Sequence, residues 1–460
     1  MATDGTIQMR STDQFTWHME RDPALRSTVI ALIRLDRAPD WPTLAARIER
    51  MSRIVPGMRQ RVIESPLVAG GPRWVADPYF DLYWHLRRVD APAPHDESTL
   101  LEHVRRAAMD SFDKDRPLWE FTLIEGLDDG SAALLVKIHH SLADGVGSMR
   151  MLGVMFDLAR EGSDLGEMPP VPSTDVPPWW MLTGGVLGGR LSGSVGLVRR
   201  TTASAVPTAL RSVRDPIGSL RSTLALARSV YRTAGPMLDT LSPVMRERAM
   251  TRRATMMDVP LADLKGAAKA SGCTINDAFL AAVTGGLRRY HHLHDAPVES
   301  LRVTMPVNLR AADDSSFGNR ITLQRLTLPV EVEDVVERMK EIHRVTEKVR
   351  DEPSLPLTDV IAGALNLLPP AYVGGVLKHV DFLASNVPGS PIPIYLAGGE
   401  VTGFYAFGPT IGAALNVTLM SYRDTCNLGL NIDTAAVHDP DTLIECFHEA
   451  FAEVCALAHT

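Results

Sequence analysis

The sequence predicts a mixed α/β protein built from two αβ halves that are joined by a basic segment. Apolar runs of strand length alternate with amphipathic helical patterns on both sides of the middle of the chain. A proline-rich stretch at residues 166–185 interrupts this alternation, which resumes near residue 257. The length of 460 residues also exceeds what a single hydrophobic core usually organises.

The first half, predicted to span residues 1–165, alternates between strand and helix signals. Trp41 to Met51 is a predicted helix, because its apolar residues recur at helical spacing on one face. Asp128-Asp129-Gly130 predicts a hairpin turn between two apolar runs. The predicted strands of this half are residues 28–33, 121–124 and 132–138.

The joining segment is predicted to span residues 166–256 and to contain amphipathic helical pieces. Between Arg190 and Arg253 it holds twelve arginines, no lysine and three acidic residues, a net charge of +9 in a chain whose overall charge is -8. Such asymmetry indicates a local anionic partner.

The second half, predicted to span residues 257–460, returns to the αβ pattern. A helix is expected after Ser271–Asp277, a second over Val332–Arg350 and a closing one after Asp439-Pro440. The predicted strands are residues 301–307, 321–330, 383–387, 401–407, 413–421 and 427–432.

Composition narrows the class of protein. Hydrophobic residues make up 45% of the chain and charged residues 22%, a globular composition without the general basic character of a nucleic-acid-binding protein. The four cysteines match no zinc-binding spacing and favour a reducing compartment. No signal peptide and no apolar run of membrane-spanning length is predicted, so a cytoplasmic location is expected.

The most informative motif is His139-His140-Ser141-Leu142-Ala143-Asp144-Gly145, which reads H-H-x-x-x-D-G. It follows an apolar strand and precedes a helical pattern that begins near Gly147. Catalytic residues often lie where a buried strand ends in a loop, and histidine exchanges protons near neutral pH. Two other interpretations stay open: a pair of core or capping histidines, and a metal site, for which no further ligand is evident.

This motif resembles the active-site motif of the CoA-dependent acyltransferase superfamily. Further blocks resemble the bacterial wax ester synthase/acyl-CoA:diacylglycerol acyltransferase family, and they occur in matching order from about residue 11 to the C-terminus. Those blocks are Arg116–Glu120, Thr274–Asp277 with Ala281–Arg288 after it, Met305–Arg310, Phe317–Arg320 and Ser385–Gly389. Two departures are the missing His-Val pair after Ser11–Phe15, and Ser390 between Gly389 and Pro391.

The resemblance implies two chloramphenicol-acetyltransferase-like domains with an active-site channel at their interface. It implies transfer of a long-chain acyl group from acyl-CoA to diacylglycerol or a long-chain alcohol, without metal or bound organic cofactor. His140 becomes the general base that takes the proton of the acceptor hydroxyl. Asp144 would orient the loop, His139 would be structural, and Gly145 would permit a tight loop.

The remaining matched residues allow more than one role. Asn276 is expected to donate a hydrogen bond near the reacting centre, whereas Asp277 equally fits a helix cap. Pro117, Leu118 and Trp119 fit a packing element better than a catalytic one.

The basic segment carries a candidate membrane surface. At 100° per residue, five arginines fall within about 100° of one another on a helix, although Pro216 and Gly218 interrupt it. A solvated helix between domains and an interfacial helix on anionic lipid both fit this pattern, and the latter predicts peripheral association with a membrane or lipid droplet. The five arginines are Arg211, Arg214, Arg221, Arg228 and Arg232.

Three alternative functions compete with acyl transfer from CoA. His139 and Asp144 also satisfy the His-x4-Asp pattern of glycerol-phosphate acyltransferases, which makes His139 the base. A condensation-type domain would use a carrier-protein donor, although no carrier-like segment is evident. A non-enzymatic lipid-surface protein would need the arginines but no positioned base.

Overall fold

The fold was analysed in a computed structural model. The structure describes residues 6–64, 71–142, 153–174, 235, 239–308, 321–350, 362–363, 365–366, 374 and 377–459.

The N-terminal half contains seven strands and four helices among the residues described. Its strands are β1 (Thr6–Gln8), β2 (Thr28–Leu35), β3 (Gln60–Ile63), β4 (Arg73–Ala76), β5 (Leu86–Asp90), β6 (Trp119–Glu125) and β7 (Ala132–His139). Its helices are α1 (Ser11–Met19), α2 (Trp41–Ile54), α3 (Leu82–His85) and α4 (Glu97–Met109).

The described C-terminal part contains eight strands and four helices. Its strands are β8 (Arg252–Pro260), β9 (Ser300–Asn308), β10 (Ile321–Pro329), β11 (Phe382–Pro388), β12 (Tyr395–Leu396), β13 (Gly399–Phe407), β14 (Leu415–Tyr422) and β15 (Thr425–Asp433). Its helices are α5 (Leu261–Ala270), α6 (Ile275–Leu293), α7 (Val335–Arg350) and α8 (Pro440–Ala456).

Two six-stranded sheets form the framework. The N-terminal sheet has the order β12-β13-β2-β7-β6-β5, and the C-terminal sheet has the order β10-β9-β11-β14-β15-β8. A small antiparallel sheet, β1-β4-β3, lies outside both. In the N-terminal sheet β7 is central, paired antiparallel with β2 and β6, so its buried position matches a sequence that is apolar except for Lys137 and His139.

Helices cover both faces of the N-terminal sheet. Helix α2 places Leu44, Ile48 and Met51 against one face, as the helical spacing predicts, and α4 packs Leu100 and Val104 on the other. The C-terminal core is centred on α6, which is buried over most of its length between α8, α7 and the sheet. This layered arrangement confirms the predicted mixed α/β fold.

The two sheets touch closely where β13 crosses β14 and β15. The backbone N–H of Phe404 donates to the Asn427 side chain at 3.1 Å, and the hydroxyl of Tyr405 donates to Asp258 at 2.9 Å. Gly429 lies against the backbone of Ala406, where an added Cβ would come within 2.2 Å of the carbonyl oxygen. The junction therefore requires glycine at position 429.

The structure corrects the predicted domain limits. Residues 257–460 were assigned to the second half, yet β12 and β13 complete the N-terminal sheet. The predicted limit between residues 256 and 257 falls inside β8, which pairs with β15 along its whole length. Hydrophobic periodicity predicts these strands but not the sheet that each one joins, because strand pairing depends on contacts between residues far apart in sequence.

Element positions otherwise follow the sequence predictions to within a few residues. The turn at Asp128–Gly130 joins antiparallel β6 and β7, with Gly130 at a positive φ of 73°. All four cysteines are free thiols. Among the helices that the structure describes, none is both long enough and apolar enough to cross a membrane.

Candidate active site

The two histidines of the motif lie where central strand β7 ends. His139 is the last residue of the strand, and residues 139–142 form a turn that we call the histidine turn. The backbone N–H of Leu142 donates to the carbonyl of His139 at 2.9 Å and closes this turn. The structure therefore places the described part of the motif, residues 139–142, at the predicted position at the end of a buried strand.

Neighbouring strands hold the backbone of the histidine turn. The N–H of His139 donates to the carbonyl of Leu118 at 3.0 Å, and the N–H of His140 donates to the carbonyl of Ser27 at 2.9 Å. Leu118 immediately precedes β6 and Ser27 immediately precedes β2. The backbones of the two histidines are thus held by the segments that lead into β6 and β2, the two strands that flank β7.

The side chain of His139 is enclosed and only 1% exposed. Its Nδ1 accepts the backbone N–H of Ser141 at 3.2 Å and lies 2.7 Å from the Ser141 hydroxyl. A ring nitrogen that accepts an N–H carries no proton, so this network assigns a ring proton of His139 to Nε2. Trp17 and Phe112 pack edge-on against the ring.

Glu20 completes the surroundings of His139. Its Oε1 lies 3.3 Å from His139 Nε2 and accepts the backbone N–H of Ser27 at 2.7 Å. Burial alone would raise the pKa of Glu20, but the contact with His139 and the Ser27 N–H hold this pKa below its usual value. A carboxylate therefore sits inside the core, where it orients the first histidine and the segment that binds the second.

His140 differs from His139 in exposure. It is half-buried, one residue beyond the strand, whereas His139 points into the core. A general base must come within hydrogen-bond reach of the proton that it removes. His139 cannot offer a ring nitrogen to a substrate without breaking its enclosure, which leaves His140 as the candidate base of the pair.

Pro117, Leu118 and Trp119 are all buried, so the structure places them as a packing element. Leu118 belongs to a small core with Trp17 and Phe112, the residues that enclose His139. The indole N–H of Trp119 donates to the carbonyl of Met58 at 2.8 Å. These residues act on the site indirectly, through the walls around His139.

A buried histidine that the sequence analysis did not single out stacks on this element. His85 packs against the rings of both Trp119 and Phe80, with centroids at 4.6 and 5.3 Å. Its Nδ1 lies 2.7 Å from the carbonyl of Trp119. Burial lowers the pKa of His85 to about 4, so the ring is neutral at physiological pH.

Asn276 and Asp277 lie in the first turn of α6. Asp277 and Thr274 form a reciprocal capping box, in which each side chain accepts the other residue's backbone N–H. Of the two roles open to Asp277, the helix cap is the one that the structure shows. Asn276 is half-buried beside it, and its predicted hydrogen bond to a reacting group stays a prediction.

Several predicted site residues lie outside the described part of the chain. They are Asp144, Gly145 and Gly147 of the loop after the histidine turn, and the five arginines of the basic segment, Arg211, Arg214, Arg221, Arg228 and Arg232. The roles expected for these residues stay predictions.

Sequence reasoning missed the support of the histidine turn, namely Glu20, Ser27 and Ser141. Ser141 was visible inside the motif itself, between the second histidine and Leu142. Glu20 follows the block Ser11–Phe15 that had been matched, but a lone glutamate at a helix end normally faces solvent. Its burial accompanies its contact with His139, a residue far away in sequence, and was not accessible from local pattern.

Comparisons with known proteins point to one family. The sequence profile described as the wax ester synthase/diacylglycerol acyltransferase catalytic domain matches residues 9–279, and the profile of the C-terminal domain of that family matches residues 317–454. The chain is 38% identical to a Mycobacterium tuberculosis protein named putative diacylglycerol O-acyltransferase, over 95% of this chain and 90% of that protein. A second protein from that organism, named probable diacylglycerol O-acyltransferase, is 27% identical over 96% and 93%.

Solved structures show the same fold. A wax ester synthase/diacylglycerol acyltransferase from Marinobacter aquaeolei superposes with a TM-score of 0.65 at 24% identity, covering 99% of this chain and 100% of that one. The first condensation domain of the calcium-dependent antibiotic synthetase superposes with a TM-score of 0.61 at 15% identity, covering 98% and 96%. The fold is thus the two-domain, chloramphenicol-acetyltransferase-like fold that the motif implied. Two family profiles and a relative at 38% identity show that the chain belongs to the wax ester synthase/diacylglycerol acyltransferase family and is an acyltransferase.

Proposed function

We propose that this acyltransferase moves a long-chain fatty acyl group from acyl-CoA to the hydroxyl of diacylglycerol or of a long-chain alcohol, with His140 as the general base. Family membership supports the substrate classes. The contrast between the two histidines supports the base: His139 is enclosed and engaged at Nδ1 by Ser141, while His140 is half-buried at the end of the strand.

The reaction needs one proton transfer at His140. A ring nitrogen takes the acceptor hydroxyl proton while the oxygen attacks the thioester carbonyl, and the C–S bond then breaks to give the ester. The same nitrogen returns the proton to the departing CoA thiolate, so atoms and charge balance without another reactant. General-base assistance of this kind contributes about 10²- to 10⁴-fold in rate, and holding both substrates in register contributes much of the remainder.

The proposal assigns no metal ion and no bound organic cofactor to acyl transfer, because the thioester is already activated and its thiolate is a good leaving group. CoA is a substrate that leaves. Asp144 and Gly145 are proposed to shape the loop after the histidine turn, and Asn276 to donate a hydrogen bond to a reacting group.

Diacylglycerol and long-chain alcohols reside in lipid phases, so we further propose that the cytoplasmic enzyme contacts a membrane or lipid-droplet surface peripherally. The net charge of +9 between Arg190 and Arg253 supports this proposal, since anionic headgroups attract such segments. The face formed by Arg211, Arg214, Arg221, Arg228 and Arg232 is the proposed point of contact.

The deciding experiment measures CoA release by purified protein with palmitoyl-CoA and three acceptor conditions: dioleoylglycerol, hexadecanol and no acceptor. Products are resolved as triacylglycerol or wax ester, and the His140→Ala and His139→Ala variants are assayed beside the parent protein. We expect acceptor-dependent thiol release that falls at least about a hundredfold in His140→Ala.

Three other outcomes contradict parts of the proposal. Near-normal turnover in His140→Ala would remove the base assignment. Acceptor-independent release would indicate thioester hydrolysis instead of acyl transfer. No release with either acceptor would point to a carrier-bound donor, another acceptor class or a non-enzymatic lipid-surface protein.

A further inference from the structure

A cluster of three potential metal ligands lies in the C-terminal half, and the acyl-transfer reaction makes no use of it as a cluster. Cys273 precedes α6, Asp277 lies in the first turn of α6, and His343 lies on α7. One donor atom from each residue, the thiol sulfur, a carboxylate oxygen and a ring nitrogen, lies within 4.8 Å of the other two. Three chemically different donors thus lie close together, two of them at or just before the start of α6 and the third on α7.

The carboxylate is held firmly. Asp277 is 1% exposed, and its Oδ2 accepts the backbone N–H of Thr274 at 2.9 Å and the Thr274 hydroxyl at 2.7 Å. Its Oδ1 accepts the hydroxyl of Thr346 at 2.7 Å. These bonds lower the pKa of Asp277 even though its burial alone would raise it, so the group is anionic.

The imidazole of His343 is oriented by the same carboxylate. Its Nδ1 lies 2.8 Å from Asp277 Oδ2, and its side chain is 35% exposed. The ring is therefore positioned from inside the protein yet reachable from solvent. Cys273 is also half-buried, and its thiol makes one weak contact, at 3.5 Å, with the carbonyl of Ser271.

From this geometry we propose that Cys273, Asp277 and His343 bind a zinc ion. Thiolate sulfur, imidazole nitrogen and carboxylate oxygen are the donor types that zinc takes in proteins, and three of them leave a fourth position for water. A site that contains a thiolate and an imidazole does not suit Ca²⁺ or Mg²⁺, which prefer oxygen ligands.

Zinc binding requires the Cys273 and His343 side chains to move. Zinc lies about 2.0–2.3 Å from each donor, so the donors must approach to roughly 3–4 Å from one another. Rotation of the weakly held Cys273 side chain brings its sulfur toward the other donors. His343 gives up its contact with Asp277 through Nδ1, and its ring proton moves to Nε2, so that Nδ1 can bind the ion. The thiol proton passes to solvent as the Zn–S bond forms.

The charge balance favours a cation. A bound dication would offset the negative charges of the Asp277 carboxylate and of the Cys273 thiolate that forms on binding. Lys340 is the basic group that acts on Cys273 from α7, and its ammonium group is paired with Glu337 at 2.9 Å. Bound zinc would clamp the start of α6 to α7 and so stabilise the C-terminal half.

The test uses untagged, full-length, reduced protein that has been freed of metal with a chelator. Co²⁺ is titrated as a spectroscopic substitute for zinc, and Zn²⁺ is then added to displace it. We expect one equivalent of Co²⁺ to give a thiolate-to-cobalt charge-transfer band that Zn²⁺ removes. The Cys273→Ser variant should lose the band, and His343→Ala should weaken Co²⁺ binding at least about tenfold.

Cys455→Ser is the matched control, because Cys455 is also a half-buried free thiol and should leave the band unchanged. Asp277 is left intact because it caps α6. Absence of the band at stoichiometric Co²⁺, or its persistence in Cys273→Ser, would overturn the proposal. A rise in the Tm on adding Zn²⁺, present in the parent protein and absent in Cys273→Ser, gives a second readout. Neither measurement depends on acyltransferase activity.

Discussion

Glu20 Oε1 lies 3.3 Å from His139 Nε2 and at the same time accepts the backbone N–H of Ser27. Ser27 in turn accepts the backbone N–H of His140 through its carbonyl. One buried carboxylate oxygen thus fixes both histidines, the first through its ring and the second through its backbone. The acidic residue belongs to the segment after α1, far in sequence from the motif that it supports.

The first prediction concerns this carboxylate. Glu20→Gln keeps the shape and one acceptor oxygen but removes the charge that orients His139. We expect kcat to fall about 10- to 100-fold with little change in KM, because misplacing a base affects the chemical step more than substrate binding. Steady-state thiol release measures both constants. Glu97→Gln, at an exposed position, is the control, and an equal loss of kcat there would refute the positioning role.

The second prediction separates the two histidines by stability. His139→Ala leaves a cavity and unpaired groups at Ser141 and Glu20, so we expect the free energy of unfolding to fall by about 2–4 kcal/mol. His140→Ala, at a half-buried position, should lower it by less than about 1 kcal/mol. Urea denaturation followed by circular dichroism measures both values. Equal destabilisation by the two variants would contradict the structural role given to His139.

The third prediction is a pH dependence of stability that originates in His85. Its pKa is about 4 in the folded protein and 6.5 when unperturbed, so the folded state holds the neutral ring. The resulting stabilisation is complete above about pH 6.5 and is lost as the pH falls toward 4, to a total of about 3 kcal/mol.

His85→Phe retains an aromatic ring beside Trp119 and Phe80 but cannot titrate. We expect the unfolding free energy of the parent to fall relative to that of His85→Phe as the pH is lowered from 7 to 4. Replacing the exposed His448 with Gln should leave the pH profile of the parent unchanged. Parallel profiles for the parent and His85→Phe would show that His85 does not titrate with a lowered pKa.

The fourth prediction tests the junction of the two sheets. A Cβ at position 429 would approach the carbonyl oxygen of Ala406 to 2.2 Å, so Gly429→Ala forces β13 and β15 apart. We expect a loss of about 1–3 kcal/mol in unfolding free energy. Gly153→Ala is the matched control, because an added Cβ there meets no atom of the described residues within 4 Å. A neutral effect at position 429 would mean that the sheets separate easily.

The fifth prediction addresses lipid contact. Replacing the five arginines of the proposed face, Arg211, Arg214, Arg221, Arg228 and Arg232, with glutamine should weaken cosedimentation with anionic vesicles. The remaining binding should also depend less on salt. A control protein carries the same number of replacements at exposed arginines outside the basic segment, namely Arg21, Arg37, Arg88, Arg106 and Arg423. Equal loss in both proteins would indicate a general charge effect.

Local pattern was sufficient to predict most elements of the fold. The strand over residues 132–138 was visible as a run that is apolar except for Lys137, and α2 was visible from Leu44, Ile48 and Met51 at helical spacing. Both signals depend only on residues close in sequence. The helix cap at Asp277 was also within reach, because Thr274 stands three residues before it.

The contacts between distant segments were not predictable in this way. The pairing of β13 with β2 joins residues more than 360 positions apart, and hydropathy assigns no partner to a strand. The burial of Glu20 and the stacking of His85 on Trp119 likewise depend on packing between elements. The motif located the site, whereas the residues that hold it in place emerged only from the structure.

The crossing of β12 and β13 into the N-terminal sheet also bears on how the chain is made. Until residues 399–407 have been synthesised, the edge of β2 that pairs with β13 is free. A free strand edge can pair with other chains. We therefore expect the sheet that carries the two histidines to be completed only after β12 and β13 have been synthesised. Nascent chains should depend on chaperones until nearly the whole polypeptide has emerged, and a fragment ending at residue 279 should aggregate.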